Sequence, residues 1–555
     1  MQLGICHRSG EKFEITEWER EFLSRISPEF DGTRFSIPLP RLSPKERARL
    51  RAQHRNEQYL YRHKSTFSAK PLVSIYPNDT RSPLISRTEW FSDSWDGLQY
   101  GREFDFSRPF FEQIFELQAV VPRAATVTLN NENCDYTTGT AYCKNCYMIN
   151  SSENCQDCLY SKLLQQCSDV VDSAYCYDSE LLYHCFNVRN CYNCKWVYDS
   201  QHASDCWFCD DLRNCENCFL CTNLVGKSYC FFNEQLEKEE YVKRVKAFTE
   251  TYSKLNEARK CFEDLRAGRW FKYPEIINCE SCTGDFLRNS NNCSLCYDMV
   301  DSVNCMHVYV GVRCSDMLDC SNMYLDAQSS YQVLGTIGTN NVHFCLYVMH
   351  SANLWYCEQC TGCQDCFGCI GLKGKQYCIF NKQYDKDKYE PMVRRIIEHM
   401  QQGNEWGEFF PAWMSPFPYN KSLAQEYFPL GKEDALQLGC KWEDAKAKDY
   451  QEAEEVAPER ISETKDSICG KLLACSKTGK NYRIQVPELK FHRKIGLPLS
   501  QLCPEERYQR LISIRRPRGV WDRECDECGE QLKSVFPPDS DEKVLCERHY
   551  QEKVS

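Results

Sequence analysis

Two short segments near the end of the chain carry the side chains best suited to hold a metal. Cys525-Asp-Glu-Cys528 and Cys546-Glu-Arg-His549 are knuckle-like pairs. On opposite sides of a hairpin, such pairs close a tetrahedron of three thiolates and one imidazole, the donor set of a structural zinc ion. A closed four-ligand site has no open position, so its expected role is folding rather than catalysis. The remaining chemistry is sulfur, with 39 cysteines in 555 residues. Cys357-Glu-Gln-Cys360-Thr-Gly-Cys363-Gln-Asp-Cys366-Phe-Gly-Cys369 has the density of an iron–sulfur or redox-active dithiol segment. Core filling explains the same spacing, because Cys is small and commonly buried. Arginines form the third set. Arg47, Arg51 and Arg55 near the start, and Arg515, Arg516 and Arg518 near the end, are candidates for phosphate contact with RNA. Solvated faces and intramolecular pairing are the other reading of these arginines. No nucleophile elbow, P-loop, dinucleotide fingerprint or HExxH occurs, and no catalytic residue is assigned.

The cysteines imply the elements that carry them. From Cys134 to Cys230 every gap between cysteines is a multiple of three. Thr137, Ile149, Ser161, Leu164, Val170, Val197 and Leu212 share that frame, and no Phe, Tyr or Trp enters it. Rings crowd the flanking positions instead, among them Tyr142, Tyr175, Trp196 and Phe208. A period of three is neither the strand nor the helix period. It predicts a coiled β-solenoid with one inward side chain per triplet. Recurrence at twelve suggests four triplets per coil, but recurrence at nine is about as frequent and leaves coil length open. A polyproline II bundle also has three residues per turn, though this stretch has almost no glycine for a crowded axis.

A second ladder begins at Cys279. Its frame slips between Cys282 and Cys293 and again between Cys320 and Cys345, each slip implying a bulge or loop. The ladders are duplicates: Cys218-Phe-Leu-Cys221 to Cys230-Phe-Phe-Asn233 returns 148 positions later as Cys366-Phe-Gly-Cys369 to Cys378-Ile-Phe-Asn381. The terminal modules are also related. Cys6-His-Arg-Ser-Gly10 matches Cys475-Ser-Lys-Thr-Gly479, and Ser43-Pro44-Lys-Glu-Arg47 matches Cys503-Pro504-Glu-Glu-Arg507. The second register places Ser65, Ser68 and Ser86 opposite Cys525, Cys528 and Cys546. The N-terminal module is therefore expected to fold without metal. Ser43 and Pro44 open an expected helix over 43–61.

The expected fold is mainly β. Two stacked Cys-rich β-solenoid blocks with capping helices lie between related zinc-ribbon-like α+β modules, the first degenerate. The expected segments are 1–95 (degenerate module), 96–127 (aromatic cap, placed on the first coil), 128–233 (first block), 234–275 (helical connector), 276–382 (second block), 383–431 (capping helix and aromatic strap), 432–468 (acidic linker) and 469–555 (zinc-binding module). The net charge of −11 and pI of about 5.7 argue against a protein that coats nucleic acid generally. No apolar signal core or membrane-spanning run is read, which predicts a cytoplasmic protein with reduced thiols.

Trp95-Asp-Gly-Leu, Phe104-Asp-Phe-Ser-Arg-Pro-Phe-Phe, Cys378-Ile-Phe-Asn-Lys-Gln-Tyr384, Ala424-Gln-Glu-Tyr-Phe-Pro429 and the terminal Cys503/Cys525/Cys528/Cys546 module carry a resemblance. Over nearly its whole length the chain resembles an uncharacterised family of cysteine-rich, zinc-ribbon-containing proteins from uncultivated small-celled bacteria. The resemblance implies a zinc ribbon and no activity. Members of that family usually keep ligand cysteines in the N-terminal module, where this chain has serines. The expected function is a non-enzymatic, zinc-binding scaffold or binding protein with a protein or RNA partner. The alternative is an enzyme or a redox or metal-handling protein using ladder cysteines or a solenoid groove.

Overall fold

The computed structural model describes residues 2–554 except 301, 304, 308–316, 319–320, 325–331, 333, 338–339 and 445–449. Strand makes up about 30% and helix about 27% of the chain, a mixture of both. The chain folds into two compact units assembled from discontinuous pieces. Unit 1 contains Met1–Thr126, Pro274–Asp444 and Arg518–Val520; unit 2 contains Val127–Tyr273, Ala445–Pro517 and Trp521–Ser555. Each ladder thus shares a unit with the terminal module more distant from it in sequence order. The N-terminal module joins the second ladder, and the C-terminal module joins the first.

In unit 2 the first ladder is a run of parallel strands in constant register. Lys162 pairs with Ala174, Ala174 with Phe186, Phe186 with Tyr198, Lys195 with Trp207 and Trp207 with Phe219, always twelve residues apart. The in-frame side chains form one buried row from Cys143 to Cys230. The backbone explains the period of three. Every third residue from Tyr142 to Asn223 has φ between +45 and +59, and each such residue directly precedes an in-frame one. A left-handed residue turns the chain, so each triplet ends in a corner and four corners complete a twelve-residue repeat. Fifteen of those twenty-eight positions are Asn or Asp, the non-glycine residues that best tolerate this conformation.

The inward groups stay paired with the backbone. Ser161 Oγ donates to Leu159 O at 2.8 Å and accepts from Ser173 N–H at 3.0 Å. Cys185 Sγ donates to the carbonyls of Tyr183 at 3.6 Å and Cys194 at 3.3 Å. Thiol and hydroxyl do the same work, which is why Ser and Cys alternate freely in the frame. The recurrence at nine in the sequence is the diagonal neighbour that accepts the thiol; the strand offset is twelve. Outside the row, rings stack on rings one repeat away: Trp196 on Phe208 at 4.5 Å and Phe219 on Phe231 at 5.6 Å. Helices Lys238–Thr249 and Tyr252–Ala267 lay Phe248 and Phe262 against this face.

In unit 1 the second ladder varies its register where the sequence frame slips. Ile276 pairs with Leu287, eleven residues on; Gly284 pairs with Cys296, twelve on; Ser321 pairs with Leu334, thirteen on. One repeat is a residue short and a later one a residue long, and most residues between the last pair lie outside those described. Gly284 has φ +132, and a Cβ there would meet Cys296 O at 1.8 Å, so only glycine fits. From Leu334 onward the offset is again twelve.

The duplicated Phe-Asn motifs close the ladders. Asn381 Oδ1 accepts from Ile370 N–H at 2.8 Å and its Nδ2 donates to Ile370 O at 2.7 Å. Asn233 does the same to Thr222 at 2.9 Å in each direction. A side-chain amide thereby supplies the donor and acceptor of a next strand and satisfies an edge that would otherwise be open.

The aromatic segment after Trp95 caps the end of the second ladder, not the first coil of the first ladder as its position in sequence suggests. Phe110 packs on Phe367 and Phe380 with ring centroids 5.7 and 5.5 Å apart, and Gly97 lies against Leu372. Rings from the 400–427 strap, Trp406 and Phe410, join the same core. Ser43 caps the following helix as expected, but that helix ends at Gln53.

Candidate metal centre

The hairpin Trp521–Glu524/Gln531–Ser534 presents one half of the site. Its turn is closed by Cys525 N–H donating to Glu530 O and Gly529 N–H donating to Cys525 O, both at 2.9 Å. Gly529 has φ +73, which lets the backbone fold over the sulfur. Strand Lys543–Leu545 brings Cys546 to the start of helix Glu547–Val554, whose first turn carries His549. The four donor atoms lie within 4.8 Å of one another. Cys525 Sγ is 3.7 Å and Cys546 Sγ 3.3 Å from His549 Nδ1, and Cys528 Sγ is 4.0 Å from Cys546 Sγ. A tetrahedral ion about 2.3 Å from each sulfur spaces two thiolates roughly 3.8 Å apart, so the donors fit a single metal ion. Cys546 N–H also donates to Cys525 Sγ at 3.3 Å. Burial works to raise the Cys525 thiol, but this bond, N–H groups of the knuckle and the His549 ring outweigh it and bring it down to about 6.

The equivalent position in the N-terminal module is built from oxygen. Hairpin Tyr61–Lys64/Pro71–Ser74 closes the same turn, with Ser65 N–H on Lys70 O and Ala69 N–H on Ser65 O. Ser65 Oγ donates to Glu89 Oε1 at 2.9 Å, and Ser86 Oγ donates to Glu89 Oε2 at 2.7 Å. Ser86 N–H donates to the same oxygen at 2.8 Å. Hydrogen bonds from Ser68 first, then Ser86 and Ser65, hold the Glu89 carboxyl down at about 2. Glu89 stands where His549 stands in the other module. A carboxylate with three serines stands where the other module has an imidazole with three cysteines, and either core ties the same hairpin to the same helix start. The three serines are recoverable from sequence register; Glu89 follows from extending that register three residues further.

The ladder cysteines behave differently. Among the described residues, the only group of three or more His, Cys, Asp or Glu placed to hold one ion is Cys525, Cys528, Cys546 and His549. Burial pushes the thiols of Cys158, Cys176 and Cys369 well above their ordinary range and Cys167 up to about 12, whereas hydrogen bonds with neighbouring ladder thiols hold Cys143, Cys293 and Cys363 below it. The raised thiols, which donate to carbonyls and stay protonated, are poor nucleophiles and poor metal ligands.

The arginines divide. Arg47, Arg51 and Arg55 are 1%, 0% and 7% exposed inside unit 1. Arg47 pairs with Glu19 at 3.4 Å and Arg55 with Glu57. This trio therefore packs in the interior and is not a surface for phosphate. The duplicated module repeats the arrangement: Arg507 bonds Glu488 at 2.8 Å and Asp172 at 2.9 Å. Arg516 is buried in unit 2 against Asp199 at 3.1 Å, and Arg518 pairs with Asp298 within unit 1. Arg515 lines a cavity of unit 2.

No helix among the described residues is long and apolar enough to cross a membrane. No protein family, no curated protein and no solved structure matches this chain.

Proposed function

We propose that this chain is a non-enzymatic, zinc-stabilised scaffold that serves as a cytoplasmic binding protein. The observation that carries the reading is the closed set of three sulfurs and one imidazole, all within 4.8 Å. Three thiolates and a histidine favour zinc over harder cations. In this reading the ion fixes the last hairpin to the last helix and takes no part in a reaction. The ladders are two β-solenoids with twelve residues and four inward side chains per coil, a reading supported by the constant parallel register and the corner at every third residue. Solenoids present long rows of outward side chains and are commonly used for binding. The resemblance to a cysteine-rich, zinc-ribbon-containing family supports the same architecture. Metal analysis of the purified full-length chain tests the proposal. About one zinc per chain, lost in Cys528→Ser, is the expected result, and a folded chain without bound metal overturns it.

An RNA or ribonucleoprotein partner is the second reading. The observation that favours it is the arginine-rich stretch around Arg510 and Arg515, which lines a cavity of unit 2.

A further inference from the structure

Unit 2 contains a cavity of about 520 Å³ that the metal site does not use. That volume lies within the range of small-molecule sites. One wall is the ladder face with Trp196 and Tyr198; another is the helix Tyr252–Ala267 with Arg259; the third is the C-terminal module with Arg507 and Arg510. The wall therefore combines flat rings with guanidinium groups.

Two of these guanidiniums have unused hydrogen-bonding capacity. Arg507 is 2% exposed, and its Nη1 serves both Glu488 and Asp172. Its Nε and Nη2 are buried with no hydrogen-bond partner. A buried N–H without an acceptor is costly enough that such groups are rare unless a ligand or water completes them. Arg510 forms no ion pair among the described residues, whereas Arg259 is tethered to Glu263 at 2.9 Å. Burial first, then the charge of Arg259, lowers the Arg510 pKa against smaller opposing contributions from Tyr252, Glu263 and Glu506; Glu263, Asp541 and Glu542 also line the cavity, so its carboxylates compensate the Arg510 charge only in part. Guanidiniums are planar forks matched to phosphate oxygens, and ring faces suit a flat heterocycle.

We propose that the unit 2 cavity binds a small ligand carrying a phosphate on one side and a planar ring on the other, the chemistry of a nucleoside monophosphate. Arg510 and the free edge of Arg507 take the phosphate, and the ring lies among Trp196, Tyr198 and Tyr252. The proposal rests on the reading of this chain as a binding protein and names the site and the ligand class.

The test uses the full-length, metal-loaded chain and titration calorimetry with four probes: adenosine monophosphate, uridine monophosphate, adenosine and inorganic phosphate. At least one monophosphate is expected to bind at least tenfold more tightly than either adenosine or phosphate alone, because both halves of the site are then occupied. Arg510→Gln is expected to weaken that binding roughly 10- to 100-fold, the loss of one or two charge-assisted hydrogen bonds. Arg510→Lys keeps the charge and is expected to bind more tightly than Arg510→Gln, and circular dichroism checks that both variants fold. Zinc content is measured on the same samples, so loss of the scaffold and loss of the ligand site are read separately. No binding of either monophosphate at millimolar concentration, or equal binding by Arg510→Gln, overturns the proposal. So does tight binding of a short RNA with none of a mononucleotide.

Discussion

Val197 tests the narrow row inside the first ladder. It is fully buried and pairs with Cys209 in the next repeat. Its own repeat contributes Cys194, Val197, Ser200 and Ala203 to the row. Adjacent parallel strands are about 4.8 Å apart, and backbone hydrogen bonds on both sides prevent them from spreading. Val197→Cys keeps a small apolar group and is expected to cost less than about 1 kcal/mol, as shape-tolerant core exchanges usually do. Val197→Ala removes two methyl groups, worth about 1.6 kcal/mol at ~0.8 each, and the void adds roughly 1 kcal/mol more. Val197→Trp inserts two fused rings where only small groups stand. Overpacking commonly costs about 1–3 kcal/mol even where neighbours can yield; here they cannot, and unit 2 is expected to unfold. Tyr192→Trp, on an outward and half-exposed ring in the same ladder, is the size control and is expected to be silent. Urea unfolding followed by circular dichroism gives the order Cys, Ala, Trp. If Val197→Trp unfolds within about 1 kcal/mol of the unaltered chain, the narrow-row argument fails.

The metal centre and its oxygen counterpart yield three further expectations. A strong chelator should loosen residues 521–554 while leaving the ladder pairs protected, as read by hydrogen exchange; equal loss of protection in both would show that the ion holds more than its own module. Structural zinc contributes on the order of 10 kcal/mol to small zinc-bound folds, so Cys528→Ser should have the same local effect. Converting Ser65, Ser68 and Ser86 to Cys together with Glu89→His should raise bound zinc from one to two per chain; unchanged stoichiometry would contradict the equivalence of the two sites. Glu89 titrates near 2 against an ordinary value of 4.5. Its stabilising contribution is thus complete above about pH 4.5 and disappears as pH falls toward 2. Glu89→Gln should flatten that part of the acid-unfolding curve, and an unaltered curve would remove Glu89 from the account.

Much of the architecture was legible because period-three spacing acts through nearest neighbours. The exclusion of rings from the Cys134–Cys230 frame follows directly from one inward side chain per triplet. The two frame slips appear as register offsets of eleven and thirteen. The four donors of the metal site were readable because two knuckle pairs encode their own local turns. Asn and Asp before so many frame residues, as at Asn145, Asn154, Asp157 and Asn193, were a signal for left-handed corners that the cysteine spacing alone did not disclose.

Other features depended on long-range packing. Nothing local in Arg47, Arg51 or Arg55 distinguishes a solvated basic helix from a buried one. The deciding fact for Arg47 is that Glu19, on another helix, meets it inside the core. Nor does sequence order give the partner of a cap: Phe110 could cover either ladder, and its place against Phe367 and Phe380 comes from closure of a loop more than two hundred residues long. The cavity of unit 2 is of the same kind, since Trp196, Arg259 and Arg510 come from three elements far apart in the chain. Sequence by itself determined the ladder, its interruptions and the three-cysteine, one-histidine cluster, because each is set by contacts a few residues to one repeat away. Tertiary structure alone decided which module covers which ladder and which arginines are buried, because those depend on which distant surfaces exclude water together.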